Sequence, residues 1–468
     1  MTSTSAGSVS VTSRHTVRCA NETSLTALDS PFRLGPLDQL VAPFIPIAVV
    51  FIYEQPTSTP DVELIPVERR QRALTLLLDY YPHLTGRLQI NPSDGTREIT
   101  RLGRHRDPIF TVQHTRFACG GVALGVRLLH TVCDADGFFQ FVRDLAELYR
   151  GVRSSEINDD PTSGIPSLAH PPHIRSYMSE LSGGNMTPEE RLAALDFQPS
   201  LFYVEQSADV EDGVAVDSSS SSTVTASFPP APPPVVGRFL RFSSRELNAL
   251  KAHATDPNGS PSSGSWISTF DALSAHLYQR VHRARLQLRA KDANQGELSH
   301  PDFLTPVNLR SRLGHDRLPP RYFPNALFTP YITLPLDVLA NGLLWQVAKA
   351  LHDVTRTTST TSKEEMNLIL RWITAQPDTR KIRPGFRYGN GSFMVSQWNK
   401  FDMYVGTVFE VRPVLVSTPF LPISLVDGLV YFLPTEEQGT EGDTGAIDVN
   451  LSLGEPLWGV MDQDEPNL

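Results

Sequence analysis

The sequence predicts an α/β chain of the α+β kind, with mixed sheets and flanking helices arranged in two lobes. Three observations carry this. Strand-like and helix-like patterns alternate irregularly along the chain. The 468 residues exceed the roughly 250–300 at which a single core stops growing. The composition also breaks at 207–235, where a Ser run (Ser218 to Ser222) leads into PPAPPP. Such a segment cannot bury a core and reads as a linker. The expected division is an N-terminal lobe over 1–206, the Ser/Pro-rich linker over 207–235 and a C-terminal lobe over 236–468.

The elements follow in order. Ile47 to Tyr53 (IAVVFIY) is short, β-branched and aromatic, and reads as a buried strand. Val67 to Tyr81 reads as a helix, because Leu74, Leu77, Leu78 and Tyr81 fall at i, i+3, i+4 and i+7. Pro66 precedes that helix and Pro82 ends it. Gly86 leads to a strand, RLQI, and a turn over Pro92 to Gly95. Gly121 to Leu129 is a second apolar strand, and His130 to Gly137 follows as a loop. From Phe138 the period changes. Phe138, Phe141, Val142, Leu145, Leu148 and Tyr149 form one helical stripe, with Asp136 expected to cap it.

Charge and cysteine content exclude several classes. Lys and Arg number 41 against 51 Asp and Glu, a formal net charge of −10. Nucleic-acid binders need a basic stripe to neutralise phosphates. The nearest run, Arg280 to Ala290, reads as a solvated helix face. The three cysteines lack zinc-site spacing and are too few for a disulfide framework, which favours a reducing, cytoplasmic setting. No metal site is expected. The N-terminal stretch has no apolar core of a secretory signal, and no apolar run is long enough to span a bilayer.

The chemistry concentrates at LLHTVCDADGFFQF. His130 stands where a strand breaks into a loop, with Asp134 four residues on. A histidine so placed can project into a cleft and take a proton from an attacking oxygen or nitrogen, since its ordinary pKa lies near neutrality. Asp134 has two readings at this point. It could orient the imidazole, or it could anchor the loop on a cation from elsewhere. The loop turns tightly, which Ala135 and Gly137 permit. Tyr80, Tyr81, Trp266 and Tyr322 read as packing residues, and His276 and His315 as surface or helix histidines.

HTVCDADGFFQF resembles the His-x-x-x-Asp-Gly signature of the BAHD acyl-CoA-dependent acyltransferases. Four other stretches are similar to that family, in the same order: IPVERRQRALTLLLDYYPHLTGRL, WISTFDALSAHLYQRVHRAR, PVNLRSRLGHDRLPPRYFPNA, and DGLVYFLP with AIDVNLSL. The resemblance implies two similar lobes with a channel between them. It implies His130 as the general base and no bound cofactor, with acyl-CoA as co-substrate. It implies an Asp134 that pairs with an arginine, for which Arg310 is the first candidate and Arg312 the second. Gly137 supports the same loop. Ser396 and Trp398 match residues beside the reacting carbonyl, where a hydroxyl or indole N–H could meet the oxyanion. Ala135 and Pro324 replace the family's usual glycines. A late Asp-Phe-Gly-Trp-Gly motif aligns either with Asp402 to Gly406 or with Thr407 to Val411; the second register, which also aligns Ser396 to Trp398, is preferred and leaves the motif largely lost.

The expected activity is transfer of an acyl group, acetyl by preference, to a hydroxyl or amine of a small specialised metabolite by a monomeric enzyme of fungal type. The alternative is a non-catalytic binding or regulatory member of the same fold.

Overall fold

The computed structural model describes residues 10–58, 63–100, 108–158, 165–181, 186–205, 233–258, 266–291, 297–313, 318–360 and 362–463. The linker expected at 207–235 lies almost wholly outside these residues, as does His315.

Two sheets face each other across a seam. The first holds four strands in the order Leu415–Ser417, Pro46–Tyr53, Val122–Leu129 and Phe110–Arg116, all antiparallel. Pro46 opens its strand, the position where a missing N–H is tolerated. Burial then alternates, with Ile47, Val49, Phe51 and Tyr53 in the core. The helices Val67–Tyr80 and Ala135–Asn158 cover that face. All six residues of the helical stripe from Phe138 to Tyr149 are buried, each worth about 1.5–3 kcal/mol on transfer from water.

The second sheet has six strands in the order Tyr331–Thr333, Asp302–Leu304, Phe393–Gln397, Leu429–Pro434, Ile447–Gly454 and Val235–Phe242. It is mixed: Phe393–Gln397 runs parallel to both of its neighbours, and the other pairs are antiparallel. Phe393, Val395, Val430 and Phe432 point into a core beneath the helix Thr269–Lys291. The side chains between them face the seam.

The halves of the chain are interlocked. Leu415–Ser417 lends the first sheet its edge strand, and Trp398, Met403, Tyr404 and Phe409 pack into the first lobe's core. Three local expectations are corrected. Arg280 to Ala290 is not a solvated face: His282 and Arg285 are buried, and Arg285 donates to Asp427 at 2.7 Å and to the Ser392 carbonyl at 2.9 Å. Trp266 is 53% exposed, with the Arg356 guanidinium 4.5 Å from its ring centroid. Its helix begins only at Thr269, so the indole sits ahead of the buried stripe. The helix after His130 starts at Ala135, earlier than the period alone implied, because Asp134 caps it.

Candidate active site

His130 ends the strand Val122–Leu129 and its backbone N–H donates to the Ile45 carbonyl at 2.7 Å. The sheet therefore fixes its main chain while the half-buried ring lines a cavity of about 200 Å³ on the seam. Nδ1 is buried and has no hydrogen-bond partner. Burial lowers the pKa of the imidazole, against an opposite pull from backbone hydrogen bonding and Asp134.

Asp134 is fully buried. Its carboxylate accepts from both terminal nitrogens of Arg310, at 2.8 and 2.9 Å, and from the N–H groups of Ala326 (2.8 Å) and Gly137 (3.1 Å). A carboxylate offers about four acceptor positions, so all are taken and none by His130. The fork also reaches the carbonyls of Tyr322 and Pro324, at 3.0 and 2.8 Å. Arg310 thus ties the His130 loop to the 322–326 segment of the other lobe. Arg312, the second candidate, is not the partner; its Nη1 is buried without one. Asp136 is not the cap: its carboxylate accepts from Asn308 Nδ2 at 2.9 Å and lies 3.7 Å from Arg310.

Gly137 was expected as a loop-turning residue. It lies in the first helical turn, and its role is close approach. A methyl group there would overlap the Phe323 carbonyl oxygen and crowd Cys133. Gly137→Ala is expected to lower stability by about 1–3 kcal/mol, read as a lower urea midpoint at unchanged slope. An unchanged midpoint would remove the packing argument.

Sequence reasoning missed a second clasp. Asn325 donates through Nδ2 to the His130 carbonyl at 2.9 Å and to Asp38 at 2.7 Å, and its own N–H reaches Asp38 at 3.0 Å. Gly35 N–H completes the set at 2.8 Å. Burial pushes the Asp38 carboxyl up to about 7 although these donors pull it down. Asn325 was visible as part of YFPNA; Asp38 has no sequence signal, because its partner is 287 residues away.

The far wall is the seam face of the second sheet. Ser396 and Tyr431 are in register on neighbouring parallel strands, as are Met394 and Leu429, and all four line the cavity. Trp398 also lines it, edge-on to Phe139 at 5.5 Å and Tyr431 at 4.8 Å. The structure therefore brings His130, Ser396 and Trp398 to one cavity, while Asp134, Gly137 and Arg310 form the support behind it. Tyr431 was missed; the alternation of its strand could have placed it beside Ser396.

The late segment is an anchor on the first lobe. Asp402 accepts from the N–H groups of Val405 and Gly406, at 2.9 and 3.0 Å, closing a turn. Glu410 pairs with Arg69, and Tyr53 donates to the Thr407 carbonyl at 2.9 Å. Among the described residues, no group of His, Cys, Asp or Glu side chains could hold a metal ion, and no helix is long and apolar enough to cross a membrane.

Comparison with known proteins agrees with this architecture. The Transferase family matches residues 97–455. Rosmarinate synthase of Plectranthus scutellarioides is 24% identical, and shikimate O-hydroxycinnamoyltransferase of Nicotiana tabacum 21% identical, each over 351 residues. Each match covers 74% of this chain and 66% of the relative's length. The crystal structure of F. sporotrichioides TRI101 complexed with coenzyme A and T-2 superposes with a TM-score of 0.64 at 19% identity, covering 93% of this chain and 97% of that one. Vinorine synthase superposes with a TM-score of 0.57 at 16% identity, covering 93% and 92%. These likenesses give the two-lobed fold. The match over 97–455 shows that the chain belongs to the Transferase family, the BAHD-type acyltransferases whose motifs it carries.

Proposed function

We propose that the protein transfers an acyl group from acyl-CoA, with acetyl as the donor group, to a hydroxyl of a small specialised metabolite, an amine being the other acceptor type. The observation that carries this is the His130 imidazole, exposed to a cavity between the lobes while its main chain is clamped from both. The named activities of the relatives and the coenzyme A complex of the structural neighbour support it.

We assign Nε2 of His130 to the reaction, since Nδ1 is closed off. Nε2 takes the proton of the acceptor hydroxyl as its oxygen bonds to the thioester carbonyl carbon. The negative charge passes to the carbonyl oxygen, where the Ser396 hydroxyl and the Trp398 indole N–H are the proposed donors. Collapse of the tetrahedral intermediate breaks the C–S bond, and the thiolate takes the proton back from the imidazolium. Asp134, Gly137 and Arg310 hold the loop and take no proton. The enzyme is proposed to work as a cytoplasmic monomer of two lobes joined through 207–235, with no bound cofactor.

The direct test is release of free thiol from acetyl-CoA by the purified protein across a panel of alcohols and amines. No release over a broad panel, with coenzyme A still bound, favours the non-catalytic reading. Two outcomes are expected within that assay. Ser396→Ala lowers kcat by roughly 10²-fold with KM little changed; an unaltered kcat removes Ser396 from the oxyanion role. The pH profile of kcat/KM follows the neutral imidazole. Burial disfavours the imidazolium, so the pKa lies below its ordinary 6.5. Activity should therefore fall in acidic buffer, with its half-maximum below pH 6.5. A half-maximum on the alkaline side of pH 7 contradicts His130 as the titrating base.

A further inference from the structure

The seam cavity has a chemical character that the acyl-transfer reading does not require. Its floor is Leu304, Met394 and Leu429, and its opposite wall includes Pro46 and Ala48. Its lining includes Ile45, Leu421 and Ile423, which are 39%, 37% and 50% exposed and so form an apolar rim open to solvent. Apart from His130, no lining residue among the described ones is ionisable near neutral pH. Burial disfavours the imidazolium of His130, so the ring is a poor partner for an anion. Arg310, which supports the His130 loop, is committed to Asp134.

The polar groups divide in two. Ser424 is used up within its own loop, donating to the Pro419 carbonyl at 2.9 Å and the Leu421 carbonyl at 3.0 Å. Thr418 is engaged by Asn450 Nδ2 at 2.6 Å. The hydroxyls of Ser396 and Tyr431, in register on adjacent strands, have no hydrogen-bond partner among the described residues. They are neutral and face the cavity together with His130.

We infer that this cavity binds an uncharged, largely apolar acceptor, held at its reacting end by the Tyr431 hydroxyl and the His130 ring while Ser396 serves the thioester carbonyl, and rejects one carrying a carboxylate beside that end. A carboxylate brought here would leave water for apolar walls with no cation to meet it. A neutral alcohol loses only hydrogen bonds that the Tyr431 hydroxyl and the His130 ring can replace. The volume of about 200 Å³ is smaller than the roughly 300–1,000 Å³ that encloses a drug-sized ligand. The rest of the acceptor therefore lies across the apolar rim. The inference rests on the acyl-transfer reading for the ligand's role as acceptor, and not for its binding.

The test separates the two. Methyl 1-(hydroxymethyl)cyclohexanecarboxylate and its free acid, in which the carboxyl group sits on the carbon next to the hydroxymethyl group, are titrated calorimetrically into the purified full chain without donor. The ester is expected to bind at least about 100-fold tighter than the acid, a desolvation effect. Ala48→Phe, which fills the cavity, abolishes ester binding. Met394→Arg on the floor, and independently Leu421→Arg on the rim, narrow or reverse the preference by supplying the missing cation. Equal affinities for acid and ester, or no ester binding up to its solubility limit, would overturn the inference. So would ester binding that survives Ala48→Phe in a folded variant. Retained discrimination without thiol release from acetyl-CoA would instead overturn acyl transfer and leave the ligand class standing.

Discussion

Replacing His130 by alanine is expected to lower kcat/KM by roughly 10²–10⁴-fold while the protein stays folded. Direct attack on a thioester needs a base within reach of the acceptor proton, and His130 is the imidazole that lines the seam cavity. The substitution leaves the loop's supports untouched. Asn325 still meets the main-chain carbonyl of residue 130, and Asp134 still holds the Arg310 fork. Thermal unfolding should therefore change little, since the ring is half-buried and Nδ1 has no partner to lose. Steady-state thiol release with wild type and variant, alongside a thermal melt, checks both parts. Turnover equal to wild type by a folded His130→Ala protein would end the general-base assignment.

Arg310→Met should do the opposite, damaging the fold more than the chemistry. It strands a fully buried carboxylate that had accepted two guanidinium N–H groups. Removing one partner of a buried pair costs about 3–5 kcal/mol, because the other charge stays unpaired in a poorly solvated site. The fork also releases the Tyr322 and Pro324 carbonyls, so the segment carrying Asn325 loosens as well. We expect a large fall in the urea midpoint, or insoluble protein. Combining Arg310→Met with Asp134→Asn removes the stranded charge and should recover part of the loss, which a double-mutant cycle would measure. An Arg310→Met protein with an unchanged midpoint and reduced turnover would mean that the pair serves chemistry and not architecture.

Much of the secondary structure was legible in the sequence because its signal is local. The spacing of Leu74, Leu77 and Leu78 marks a helix, and the alternation from Ile47 to Tyr53 marks a strand, whatever lies elsewhere. The helix after His130 was legible in type but not in start. Its apolar stripe begins at Phe138, yet Asp134 draws the first turn back by satisfying the Gly137 N–H. Asp136 read from sequence as solvated or as the cap. It is drawn off by Asn308, which is 172 residues away. Trp266 misled for a related reason: aromatic character predicts burial, but the indole precedes the first turn of its helix and lies against Arg356.

The main helices and strands of the first lobe, the mixed α/β class and the histidine at the strand end can be read from the chain alone. Those properties follow from side-chain period and turn chemistry, which act over a few covalent bonds. That every acceptor position of Asp134 is occupied, that Asn325, oriented by Asp38, holds the His130 carbonyl, and that Tyr431 joins Ser396 on a wall lacking fixed charge follows from the three-dimensional arrangement. Each depends on groups far apart in the chain meeting where water is excluded. There, an acceptor's partners and a cavity's polarity are set by whatever the fold brings alongside.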